Sequence, residues 1–229
     1  MALFSDAGVE FLLRWLHFLA GITWIGLLYY FNFVQGPFFA EADAATKSAA
    51  TQRLVPRALW WFRWAAMLTF LSGAAIILKR HDFSSPWAMA ILTGAAFGTL
   101  MFLNVWLVIW PNQKVVIANA VATAGGQAAN PVAPAAARRA FLASRTNVVF
   151  SIPMLFFMGA ASHLTPTADG NRMGYWLGVL VVAGLLELNA LTGDKGATKQ
   201  PLETVRSVIV TGVVVAAVMF ALVQLVLSA

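Results

Sequence analysis

The chain has no cysteine among its 229 residues. That absence excludes disulfides, thiolate metal sites, iron–sulfur clusters and the Cys-x-x-Cys-His attachment of c-type haem. Charge is scarce too: 10% of the residues are Asp, Glu, Lys or Arg, against 60% that are hydrophobic. Mean hydropathy is +0.77. A water-soluble domain of this length has too little interior to hide so much apolar surface, so lipid is the main solvent. Histidine is limited to three copies, His17, His81 and His163.

What is present is a set of continuous apolar runs of about 20 residues, without the alternation of a membrane β-barrel. The fold class expected is all-α: a polytopic transmembrane helical bundle forming a single membrane domain over 1–229. Six spans are predicted, at about 9–34, 58–79, 86–110, 147–165, 174–193 and 204–227. The first run is too long for a signal peptide and lacks a basic leader and a small-residue cleavage site, so it is expected to be retained.

The net charge of +6 would suggest nucleic acid in a soluble protein. Here the basic residues fall between apolar runs, where they set topology, and no nucleic-acid partner is expected. Ten of them, from Lys47 to Arg206 and including Lys114, Arg138, Arg139 and Arg145, fall on one side, against Arg14, Lys79, Arg80 and Arg172 on the other. The positive-inside rule makes the richer side cytoplasmic and puts both termini on the outer, periplasmic side of a bacterial inner membrane. The 111–146 segment is expected to be a cytoplasmic connector, punctuated by Gly125-Gly126, Asn130-Pro131 and Ala133-Pro134. Pro111 is expected to stop the third span, and Arg138–Arg145 to form a short basic interfacial helix.

Titratable residues inside spans are costly and usually have a task. His17, Gly21 and Trp24 share one helical face, and a glycine one turn from a histidine lets a flat macrocycle lie against the backbone. Arg14, one turn nearer the outer side, is a candidate partner for a haem propionate. His163 closes the fourth span, with Gly159 one turn before it. The topology puts both histidines near the outer face, at depths compatible with one bis-histidine haem. The plainer alternative is a histidine hydrogen-bonded to a neighbouring helix, with Gly21 as a packing notch. His81 reads as a solvated loop residue, and a site built from all three histidines lacks metal-ligand spacing. Glu187 is expected to pair with Arg63, relieving two burial costs, with a proton or quinone site as the sharper alternative. Asn104 is expected to join helices.

Several motifs together carry a resemblance. They are Leu12-Leu13-Arg14-Trp15-Leu16-His17 with Trp24-Ile25-Gly26, Trp61-Phe62-Arg63-Trp64 with Leu71-Ser72-Gly73, and Asn104-Val105-Trp106 running into Ile109-Trp110-Pro111-Asn112-Gln113-Lys114. Ser144-Arg145-Thr146-Asn147 through Ile152-Pro153-Met154-Leu155-Phe156 to Ser162-His163 completes the order. The chain resembles the membrane domain of the bacterial membrane-bound urate hydroxylase (PuuD-type) family, shortened and without that family's cytochrome c domain. It departs from the pattern at Thr146, where the family usually has histidine, and in the fifth span, which lacks the histidine expected near Leu186–Asn189.

The resemblance implies oxidation of urate for the family, with electrons leaving through haem. For this chain it points to a haem b-binding inner-membrane protein with His17 and His163 on the iron and Arg14, Gly21 and Gly159 around the ring. Electron transfer within or beside a larger redox complex is the role expected. Partners would be the lipid bilayer, other membrane subunits or a separate electron carrier. The alternative is a cofactor-free accessory subunit that fills a helix interface in a membrane assembly.

Overall fold

The structure is a computed structural model that describes residues 2–164 and 170–227. Ten α-helices are named here in chain order. They are α1 (Asp6–Tyr29), α2 (Gly36–Glu41), α3 (Ala44–Arg53), α4 (Val55–Arg80), α5 (Pro86–Leu103), α6 (Trp110–Ala124), α7 (Ala133–His163), α8 (Arg172–Leu191), α9 (Gln200–Glu203) and α10 (Val205–Leu222). No strand occurs among the described residues. π-helical segments, Tyr30–Gln35 and Asn104–Ile109, fuse α1 to α2 and α5 to α6, and a third follows α10 over Val223–Leu227.

Six helical runs are long and apolar enough to cross a membrane: Asp6–Glu41, Val55–Arg80, Pro86–Ala124, Ala133–His163, Arg172–Leu191 and Val205–Val226. The six expected spans are therefore all present, but three are longer than a bilayer needs. Pro86–Ala124 has 39 residues, about 58 Å at the α-helical rise, where a span needs about 30 Å. The expected connector over 111–146 is mostly helix as a result, and only 125–132 lies outside α6 and α7.

Two local causes explain the correction. Pro111 sits in the first turn of α6, directly after the π-helical segment, where the regular ladder is already interrupted and a missing N–H costs little. Alanine then carries the chain on both sides of the gap, and alanine is the strongest helix former. Arg138–Arg145 forms the second to fourth turns of α7 rather than a separate interfacial helix. The expected end of the fourth span at Thr165, and residues 166–169 of the short loop, lie outside the described residues.

Local signals set the other helix ends. Ser5, Ser85 and Asn171 accept hydrogen bonds from Gly8, Ala88 and Gly174 backbone N–H groups as N-caps, and Thr204 forms a capping box with Ser207. His81 ends α4 in the left-handed region at φ 49°.

α7 is the centre: 67% of its most apolar window is buried, against 17–33% for the other spans. α5 lies on it through Gly94 and a Phe97–Phe150 contact at 5.4 Å. α10 lies on it through Gly212 against Ile152, and Phe156–Phe220 at 5.7 Å. α1 and α4 form a pair, joined to the rest by stacked Phe70 and Phe102 at 4.3 Å and by a Tyr29 Oη–Ser151 Oγ hydrogen bond of 2.9 Å.

One end of the bundle, the terminal end, holds the start of α1 and the end of α10. There Lys79 pairs with Asp6 at 3.0 Å and Arg80 with Glu10 at 3.1 Å. The other, basic end holds α3, α9 and the ends of α6 and α8. Lys199, 2% exposed, donates from Nζ to Thr192 O at 2.7 Å and Asn189 Oδ1 at 3.1 Å, clamping the connection to the end of α8.

Arg138 donates to both carboxylate oxygens of Glu203 and to Asp194 O. This hydrogen bonding, with the charges of Arg138 and Arg145, holds the Glu203 carboxyl below its ordinary 4.5 against a burial cost that raises it. A lowered folded value means that the stabilisation is complete above the unfolded value of 4.5 and is lost as pH falls through the folded one. E203Q is therefore expected to be less stable at neutral pH and to lose less further stability below pH 4.5, as measured by thermal unfolding in detergent.

Candidate functional site

His17 projects from α1 into the seam with α4, where its Nδ1 lies 3.1 Å from Ser72 Oγ. Ser72 donates its one hydroxyl proton back to the Leu68 carbonyl at 2.7 Å, with the Thr69 carbonyl at 3.1 Å. The serine oxygen is left as an acceptor, so the hydrogen-bond network assigns the imidazole proton to Nδ1 and the lone pair to Nε2. A neutral histidine whose second nitrogen is held in this way is the usual form of a metal-ligating imidazole.

Gly73 makes that position possible: a Cβ there would lie 3.0 Å from His17 Cε1. Gly21 also faces α4, where its Cβ would be 3.9 Å from Thr69 Cγ2, in ordinary contact. The hydrogen-bonded histidine is thus present, but the close approach is at Gly73 rather than at Gly21. His163 is the last residue of α7 and is exposed. Beside Gly159, one turn earlier, a Cβ would meet nothing within 4 Å.

The Tyr29–Ser151 hydrogen bond gives the two helices a common level. His17 lies twelve residues from Tyr29 toward the terminal end, and His163 twelve from Ser151 in the same direction. Each helix therefore rises roughly 18 Å between that contact and its histidine. His17, held at Nδ1 by Ser72, is thus a candidate axial ligand, and His163 lies at about the same height on α7.

Arg14 is engaged: its Nη2 lies 2.6 Å from Glu10 Oε1, the same oxygen that receives Arg80. His81 is exposed at the end of α4, as expected of a loop histidine. Among the described residues, no group of three or more His, Asp or Glu converges as a metal site.

A second polar region lies toward the basic end, around the π-helical Asn104–Ile109 segment. Asn104 Nδ2 donates to Asn147 Oδ1 at 2.9 Å and Glu187 Oε2 at 3.0 Å, and Asn147 Nδ2 donates to Met101 O at 3.0 Å. Asn104 joins three helices, as its sequence position suggested. The expected Arg63–Glu187 ion pair is not formed. Arg63 lies over the Trp110 ring at 3.9 Å, so the segment carrying Asn104 and Trp106 stands between the two charges.

Sequence reasoning missed four contributors here. Ser72 was seen only as part of a motif, and Thr146, Asn147 and Arg145 were placed at a loop boundary. All three lie inside α7 with exposures of 1%, 0% and 5%. Their signal was available: a polar quartet, Ser144 to Asn147, between an alanine-rich and an apolar stretch marks a polar layer as readily as a span end.

The architecture is that of a polytopic α-helical membrane protein with polar groups at two levels. The chain belongs to the urate oxidase N-terminal family, whose profile matches residues 76–221. The match takes in Asn104, Thr146, Glu187 and His163 and begins after α1. No curated protein and no solved structure gave a match.

Proposed function

We propose that this chain is a haem b-binding electron-transfer protein of the bacterial inner membrane, working within or beside a larger redox complex of urate-oxidising type. The observation that carries the reading is the Ser72–His17 hydrogen bond, which leaves Nε2 as the available lone pair. His17 and His163 would hold the iron, and the open side of Gly159 would admit the ring edge. Bound there, haem b supplies a one-electron couple whose potential is set by its axial ligands and burial.

The chain's own residues do the remaining work. Ser72 orients the His17 ring, Gly73 lets it lie close to α4, and Glu10 positions Arg14 near the terminal end, where a propionate would need a cation. The excess of basic residues at the opposite end supports the periplasmic assignment of the terminal end. Electrons would pass to a partner subunit or a separate carrier on that side.

The test is the reduced-minus-oxidised visible spectrum of the detergent-purified protein, expressed with haem precursor, beside H17A and H163A. A b-type α-band present in the parent and lost in both variants is the expected result. A band that survives in both variants would move the ligands elsewhere. A featureless parent spectrum would make the chain a cofactor-free accessory subunit.

A further inference from the structure

Glu187 is one helical turn from the basic end of α8 and is not used by the reading above. Directly beyond it lies a cavity of about 300 Å³ between the Asn104–Ala124 stretch, α7 and α8. Val108, Leu142, Ala190 and Leu191 line its wall, and Arg138, Arg139 and Asp194 its polar part.

Helix register links the cavity to the polar layer. Asn104 is four residues from Val108, Thr146 is four from Leu142 and seven from Arg139, and Glu187 is three from Ala190 and four from Leu191. Each therefore sits one turn from a lining residue on the same face of its helix. The Asn104–Glu187 hydrogen bond of 3.0 Å shows that two of the three side chains meet. The third, Thr146, is 1% exposed, and its hydroxyl has no hydrogen-bond partner. A buried hydroxyl without a partner costs free energy, which a water on the cavity side would recover. A space of this size accommodates on the order of ten waters at ~30 Å³ each.

The charges around the carboxylate leave it free to exchange a proton rather than locking it in an ion pair. From α5 and its π-helical continuation it meets Asn104, which also bonds the neutral Asn147 of α7, while the buried Arg145 of α7 lies over the Phe141 ring at 5.1 Å and has Glu203 as its charge partner. Arg138 is held by Glu203 and the Asp194 carbonyl, and Lys199 by Asn189 and Thr192. Arg63 is on the far side, over Trp110. Arg139 and Asp194 remain at the cavity, at least one turn away.

We propose that Glu187 is a proton-binding site that exchanges with the aqueous phase at the basic end through this cavity. In the loading step a hydronium ion in the cavity gives its proton to a carboxylate oxygen. One O–H bond breaks and another forms, water remains, and the side chain goes from anionic to neutral. Thr146 and Asn104 are positioning residues that hold the last water and the carboxylate.

The chain's lack of cysteine makes the test direct. V108C and A135C, both on the cavity lining, leave Glu187 intact and should each be labelled by a membrane-impermeant methanethiosulfonate from the basic side of reconstituted vesicles only. F150C, fully buried between α5 and α7, should stay unlabelled as the control. In parallel, dicyclohexylcarbodiimide, which attacks protonated carboxyls in apolar surroundings, should modify Glu187 by mass spectrometry. The yield should fall roughly tenfold per pH unit above the midpoint, as the protonated fraction does. Blocking V108C with the impermeant reagent should remove the response of Glu187 modification to rapid changes of pH on the basic side. Cysteines that react from neither side, or carbodiimide modification indifferent to pH, would overturn the proposal. Neither readout requires haem, so this outcome stands apart from the fate of the redox reading.

Discussion

G94L is expected to cost about 3 kcal/mol of stability, the largest loss for any single glycine replacement between α5 and α7. A Cβ at Gly94 would lie 3.1 Å from the Met154 carbonyl oxygen and 3.2 Å from Met158 Cγ and Cε. The methionine can turn away, because its thioether chain is flexible. The carbonyl cannot, since it belongs to the backbone of the central helix. Moving it means shifting α7 against α5, α8 and α10 together. Close approach at a glycine is how membrane helices gain dispersion contacts when no hydrophobic drive separates protein from lipid. Any gain in helix propensity on leaving glycine, up to ~1 kcal/mol, offsets only part of the loss.

Gly184 on α8 supplies the control, because a Cβ there meets nothing within 4 Å. G184L should gain the propensity term and lose nothing. The measurement is reversible unfolding in mixed detergent micelles, with both variants beside the parent. Equal stabilities for G94L and the parent would refute the close α5–α7 packing.

If His17 holds haem as proposed, S72A is expected to weaken haem binding 10- to 100-fold, the usual loss when a histidine ligand's outer hydrogen bond is removed. Without the hydroxyl, the His17 Nδ1–H loses its 3.1 Å acceptor, and the ring can rotate or exchange tautomers. G73A should act on the same ring by displacing it, since the added methyl would sit 3.0 Å from Cε1. Haem release to a scavenger protein, followed at the Soret band, measures both. A purely structural role for Ser72 would lower thermal stability in S72A while leaving the release rate and the potential of the bound haem unchanged. S72T, which keeps a hydroxyl, should restore most of the affinity.

The number of spans was legible because hydrophobic length is set by lipid thickness, a constraint that no tertiary contact overrides. Their ends were less so. Residues 111–124 and 133–146 read as a connector by the rule that spans match bilayers. Yet alanine favours helix with or without lipid, and the chain continues past the apolar region for that reason. The same misplacement hid Arg145, Thr146 and Asn147, whose burial comes from α7 being surrounded on all sides. Only packing can reveal that.

The histidines were visible from composition, whereas Ser72 as the partner of His17 depends on which faces of α1 and α4 meet. That pairing joins positions 55 residues apart, and nothing in local pattern encodes it. The Arg63–Glu187 expectation failed similarly. Depth along the bundle says nothing about azimuth, and the Asn104–Ile109 segment lies between them.

The short break over 125–132 is the one place in the middle of the chain where neither α6 nor α7 continues. It divides the protein into two parts of three long helical runs each, and the contacts that join them are tertiary ones: Gly94 with Met154, Phe97 with Phe150, Tyr29 with Ser151, Asn104 with Glu187. The covalent link there does little more than raise the effective concentration of one part for the other. Assembly information therefore resides in the complementary surfaces that α5 and α7 present to each other.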